Sequence, residues 1–134
     1  MISREKRVNK IKLNLDEFGN DYYAIGTDFN KSTFSAVTSK DKDKNFTITN
    51  SNSLVYEFVS LPGNIYFMDF EKDKSNSDLK KILQEKQAMG NVGANFNGWQ
   101  KILKKFYTLN MIPNKAYDGI IVVKTATPTE ILEN

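Results

Sequence analysis

The chain has 134 residues, with 19 basic and 16 acidic side chains giving a net charge of +3, and contains neither cysteine nor histidine. That length fits a single domain, 1–134. The two missing residue types remove disulfides, thiolate and histidine catalysis, sulfur-ligated zinc and the near-neutral pH switch.

Hydrophobic residues at 40% and charged residues at 26% match a soluble globular chain. The first ten residues are charged, and no run approaches the roughly 18 apolar residues a membrane span requires. The expectation is a cytoplasmic protein, or one assembled into a particle in the cytoplasm, with no membrane partner. Only Arg4 and Arg7 are arginine among the basic residues. Lysine and asparagine in this abundance suggest a low-GC bacterium or one of its phages or mobile elements.

Residues 1–9 form a basic arm. Ile11, Leu13 and Leu15 alternate with polar residues as in a half-buried strand. Turn chemistry at Phe18–Asp21 then leads into a second alternation, Tyr23, Ile25, Thr27 and Phe29, so the two segments predict a hairpin. A further strand is expected at 33–38, followed by a charged loop at 40–45 and a short strand at Phe46 and Ile48. The polar run Asn50–Ser53 interrupts, and the segments 54–61 and 65–70 flank Pro62-Gly63-Asn64 as a second predicted hairpin.

The period then changes. Ser75 or Ser77 caps a helix over about 77–89, with Leu79, Ile82, Leu83 and Met89 on one face. Gly90-Asn91 stops it, and a glycine–asparagine linker follows. Trp99, Ile102, Leu103 and Phe106 sit at i, i+3, i+4 and i+7, predicting a second helix over about 98–108. Pro113 ends it, 117–124 reads as a buried strand, and 127–134 is a short tail whose Thr127-Pro128 can open a helix. The expected fold is therefore α+β. It has an antiparallel sheet or small β-barrel of about six strands from the N-terminal half, two helices on one side, and the strand at 117–124.

Candidate chemistry is sparse. Asp69, Glu71 and Asp73 share a strand end, but a calcium loop starting at Asp69 would place Lys74 and Lys80 where glycine and glutamate are needed. Gly93-x4-Gly98 has P-loop spacing, yet Trp99-Gln100 replaces the phosphate-gripping Lys-Ser/Thr. Gly90-Asn-Val-Gly93 between two helices has the layout of a KH-type loop, without its basic residues. No catalytic, metal or cofactor residue is assigned.

The sequence favours a non-catalytic interaction or assembly module whose partners are other protein subunits, identical or different. A phage or mobile-element assembly component or a host-enzyme inhibitor would fit. Phe96, Trp99 and Tyr117 are the candidate contact residues. The alternative is a module for single-stranded DNA or RNA, using Arg4, Lys6, Arg7, Lys10, Lys12, Lys101, Lys104 and Lys105 with strand aromatics and the Gly90–Gly93 turn.

Overall fold

A computed structural model of the chain describes residues 22–37, 43–73, 76–91 and 96–129. The basic arm, the strand expected at Ile11–Leu15 and residues 130–134 lie outside them. In chain order the elements are β1 (Ile25–Val37), β2 (Asp43–Thr49), α1 (Ser53–Val59), β3 (Ile65–Asp69), α2 (Ser77–Gln84), β4 (Gln87–Gly90), two 3-10 turns (Gly98–Ile102 and Lys104–Phe106), β5 (Thr108–Met111), α3 (Pro113–Ala116) and β6 (Gly119–Ala126).

The fold is α+β, as expected, but the sheet stays open instead of closing into a barrel. Four strands run in the order β2-β1-β6-β3, and β4 pairs with β5 in a separate ribbon. β2 and β3 lie antiparallel to their neighbours, whereas β1 and β6 are parallel. That pairing follows from the long stretch of chain between them, which allows a crossover connection that a tight hairpin does not.

Four elements differ from the sequence reading. The two strands expected at 23–29 and 33–38 are one continuous strand, β1. Of residues 54–61, expected as a strand, 54–59 belong to α1. Asn52 caps it, accepting from the Val55 N–H, and Leu54, Val55 and Phe58 make the buried stripe of a short helix. The turn at Pro62–Asn64 therefore joins a helix to a strand. Asn64 fixes that junction, because its side chain exchanges two hydrogen bonds with the backbone of Thr125 at 3.1 and 2.9 Å.

The helix expected over 77–89 stops at Gln84. Asn76, not a serine, caps it by accepting from Asp78 and Leu79. The Gln87 amide then donates to the Ile82 carbonyl at 3.2 Å, and the chain leaves as β4. Met89 keeps its core position, but on a strand with alternating burial. The helix expected over 98–108 is two 3-10 turns broken at Leu103, whose backbone is extended. Thr108 accommodates the exit by donating its hydroxyl to the Lys104 carbonyl. The last strand forms at 119–126, close to its expected range, and residues 127–129 are not helical.

The core lies on one face of the sheet. Leu54, Val55 and Phe58 of α1 pack with Met68, Phe70, Leu83, Met89, Ile120 and Val122. A second cluster joins Ala36, Phe46, Ile48, Phe96 and Tyr107. There the Phe96 ring meets Phe34 and Phe46 edge-on, at 5.2 Å in each case.

Candidate functional site

The alternation along β1 has the opposite sense from the one its residue types suggest. Ala24, Gly26 and Asp28 point into the core, while Tyr23, Ile25 and Thr27 face outward. Small residues are needed inside because bulky groups approach closely there. A Cβ on Gly26 would lie 2.6 Å from the Tyr117 ring, so that ring rests on bare backbone.

Asp28 is only 3% exposed and is the hub of a buried polar network. Its Oδ1 accepts from the side-chain amide of Asn50 at 3.0 Å, from the Gly90 N–H at 3.0 Å and from the Phe29 N–H at 2.8 Å. Its Oδ2 accepts from the Asn52 amide at 2.7 Å. Asn52 also donates to the Ala88 carbonyl and caps α1, so one side chain joins β1, α1 and β4. Gln87 completes the tie by accepting from the Ser53 N–H. Burial raises the Asp28 carboxyl above the ordinary carboxylate value, and the four donors only partly oppose it. Burial is also the main cause raising the Tyr117 hydroxyl, with the nearby Asp28 charge second.

This network has the chemistry of a structural clamp. A general base needs a lone pair aimed at a substrate, and the four bonds to Asp28 all come from this chain's own groups. The Asn50 Oδ1 is buried without a partner among the described residues.

The outer sheet face is different in character. The β1–β6 and β6–β3 registers align Thr27, Ile121 and Phe67 in one row, with Ile25 and Gly119 beside it, and Val123 with Ile65 on the other side. Ile65 is 66% exposed, Phe67 55%, and Tyr23 and Ile25 each 49%. The Tyr23 and Phe67 side chains close over Gly119, where a Cβ would lie within 3.1 Å of both and 2.9 Å from the Met68 carbonyl oxygen. Toward β2 the same face turns polar, with Thr33 bonded to Thr47 and Ser35 to Asn45. An antiparallel pair with one solvated polar face is ordinary, whereas parallel pairs are normally covered on both faces. The apolar half of this face coincides with the parallel pair.

The residues singled out from sequence are scattered. Phe96 is buried in the second core cluster, and Tyr117 is half-buried against Gly26. Trp99 is exposed and meets Phe106 edge-on at 4.9 Å. Lys101, Lys104 and Lys105 are exposed on the 3-10 turns beside it, and the Lys105 ammonium sits 5.2 Å from the Phe106 ring centre. Gly90 belongs to β4 and donates to Asp28, so it is not the turn of a two-helix loop. Arg4, Lys6, Arg7, Lys10, Lys12 and Gly93 lie outside the described residues. Asp69 spends its Oδ1 on the Glu71 and Lys72 N–H groups as a turn, which, with the Tyr23 hydroxyl, holds its carboxyl below the usual range. Among the described residues no group of three or more acidic side chains is placed to share a metal ion.

Asp28, Asn50, Asn52 and the outward apolar row went unrecognised in the sequence. Their one signal was that the interior side of β1, read as Ala24-x-Gly26-x-Asp28, is as regular as its apolar side.

No curated protein matches the sequence. Two solved structures share the fold. A protein of Bacillus cereus superposes with a TM-score of 0.70 at 18% identity, over 91% of this chain and 29% of its own. A succinoglycan biosynthesis protein does so with a TM-score of 0.70 at 16% identity, over 90% of this chain and 28% of its own. This chain thus spans less than a third of the length of the structures it matches. A family model described as erythromycin esterase matches residues 12–126, which is most of the sequence. The chain belongs to the erythromycin esterase family.

Proposed function

We propose that this chain is a non-catalytic docking unit, and that the apolar half of its outer sheet face seats against a further body of an esterase-family fold. The observation that carries the proposal is the bare row of Ile25, Ile65 and Phe67, flanked by Tyr23 and lying over a parallel strand pair. The relative lengths supply the occupant, since both structural neighbours hold more than twice as much chain outside the shared unit as within it. Whether that body lies on the same polypeptide or on another subunit, the chemistry of the contact is the same.

The family name denotes ester hydrolysis. In this chain such a reaction would have to be built without histidine or cysteine, and the most deeply buried carboxylate among the described residues is engaged as a clamp. The chain is therefore assigned the docking role and no bond-breaking step. None of the described helices is long and apolar enough to cross a membrane, and a cytoplasmic setting is part of the proposal.

The test is light scattering on the isolated chain and on an Ile25→Lys/Ile65→Lys double variant. An uncovered face makes the wild type self-associate with rising concentration, and the double variant stays monomeric with an unchanged circular dichroism spectrum. A wild type that remains monomeric at high concentration and binds no hydrophobic dye overturns the proposal.

One observation favours a second reading. Exposed Trp99 stands among Lys101, Lys104 and Lys105, the pairing of stacking ring and cations that single-stranded nucleic acid uses. Salt-sensitive oligonucleotide binding that is lost in Trp99→Ala would support it.

A further inference from the structure

The outer face is one open surface of this sheet, and the β3 edge is another. β3 ends the sheet order, with β6 on one side and, among the described residues, no strand on the other. The bonds from the Lys124 N–H to the Asn64 carbonyl and from the Phe70 N–H to the Asp118 carbonyl fix the ladder phase. Even-numbered residues of β3 turn their backbone groups toward β6, so those of Ile65 and Phe67 point away from the sheet. Among the described residues nothing bonds to those groups. An edge with unpaired N–H and C=O groups is a template for one more strand, and natural sheets usually blunt it with proline, a bulge or an inward charge. Ile65–Asp69 contains none of these.

A cleft of about 310 Å³ opens against this edge, between α1 and the start of α2. Its apolar lining is Phe58, Phe67, Met68 and Leu79, and its charged groups are Glu57 and Asp73, both carboxylates. An added strand projects alternate side chains to the two faces of the sheet. A side chain directed to the inner face would lay its stem along Phe58, Met68 and Leu79 and end between Glu57 and Asp73. A long aliphatic stem tipped with a cation has that shape.

We propose that the β3 edge is a second binding site, which takes an extended peptide as an additional strand and seats a lysine or arginine of that peptide in the cleft. Backbone bonds to Ile65 and Phe67 supply affinity, and the Glu57–Asp73 pair supplies selectivity for a basic residue. The site uses the backbone edge and inner side of β3, whereas the docking face uses the outward side chains of Ile65 and Phe67, and it does not depend on that docking.

The probe is a fluorescein-labelled seven-residue peptide of alternating threonine and valine with a central lysine, followed by anisotropy and by amide exchange in the protein. Binding slows exchange of the Ile65 and Phe67 amides. It is abolished when the peptide amides facing β3 are N-methylated. Glu57→Lys, at an exposed helix position, weakens the lysine peptide about tenfold and reverses the preference toward a central glutamate. Ile25→Lys leaves binding intact, which separates this site from the outer face. No binding at millimolar peptide overturns the proposal, as does binding indifferent to N-methylation or to the charge at residue 57.

Discussion

Replacing Asp28 by asparagine tests whether the buried network is the clamp described above. The substitution keeps size and shape but puts an amide NH2 where one carboxylate oxygen accepts. Three donors converge on Oδ1, so the retained oxygen belongs there, and the NH2 then faces the Asn52 amide that now donates at 2.7 Å. Asn52 cannot rotate to relieve this, because its oxygen caps α1 at the Val55 N–H. Losing a hydrogen bond to a charged group costs about 1.5–3 kcal/mol, and removing a buried charge returns part of that. The net loss is about 2 kcal/mol. With a urea slope of about 1.5 kcal/mol/M for this size, the midpoint falls by about 1–1.5 M.

The deficit also depends on pH. Burial holds the Asp28 pKa in the folded state above its unfolded value, so the folded state binds this proton more tightly and its contribution to stability declines as pH rises. The asparagine variant lacks that titration. Its deficit should be largest below the ordinary carboxylate range and shrink as pH climbs through the raised Asp28 value. Urea titrations at several pH values check this. A midpoint unchanged by the substitution, or a deficit that grows with pH, would refute the reasoning.

Asn52→Ala removes a helix cap, a donor to Asp28 and a donor to Ala88 together, and should cost about 3 kcal/mol by denaturant unfolding. Gly119→Ala drives a Cβ against the Met68 carbonyl oxygen, the Tyr23 hydroxyl and the Phe67 ring. A loss of about 1–3 kcal/mol is expected, read as a lower melting temperature. Phe96→Ala empties the centre of the second core cluster and should cost about 3–5 kcal/mol. Trp99→Ala should cost less than about 1 kcal/mol, because the indole is largely outside; similar losses for the two would contradict the placement of Phe96.

The α+β class and the strands around Ile25, Phe46, Ile65 and Ile120 were legible because each carries a dense run of β-branched or aromatic residues. Four features were not. The run Leu54–Val59 suits a strand as well as a helix by composition, and only the Asn52 cap and the packing on β1 and β6 decide for the helix. Met89 and Phe106 fit a helical period by coincidence of spacing, while the Gln87 and Thr108 side chains end the preceding turns first. The facing of β1 runs against its residue types, which place the apolar residues outward. Here the interior needs Gly26 and Asp28, for the Tyr117 ring and the polar clamp, and the apolar residues serve the opposite face. The parallel pairing of β1 with β6 is a long-range choice with no local signature.

The central claim is that the outer face of β1, β6 and β3 is built to be covered. Hydroxyl-radical footprinting of the chain, dilute and then associated, tests it most directly. The account predicts that Tyr23, Ile25, Ile65 and Phe67 lose reactivity together on association, while exposed Trp99 and Tyr56 keep theirs. Protection centred on Trp99, with the four outer-face residues as reactive as before, would contradict it.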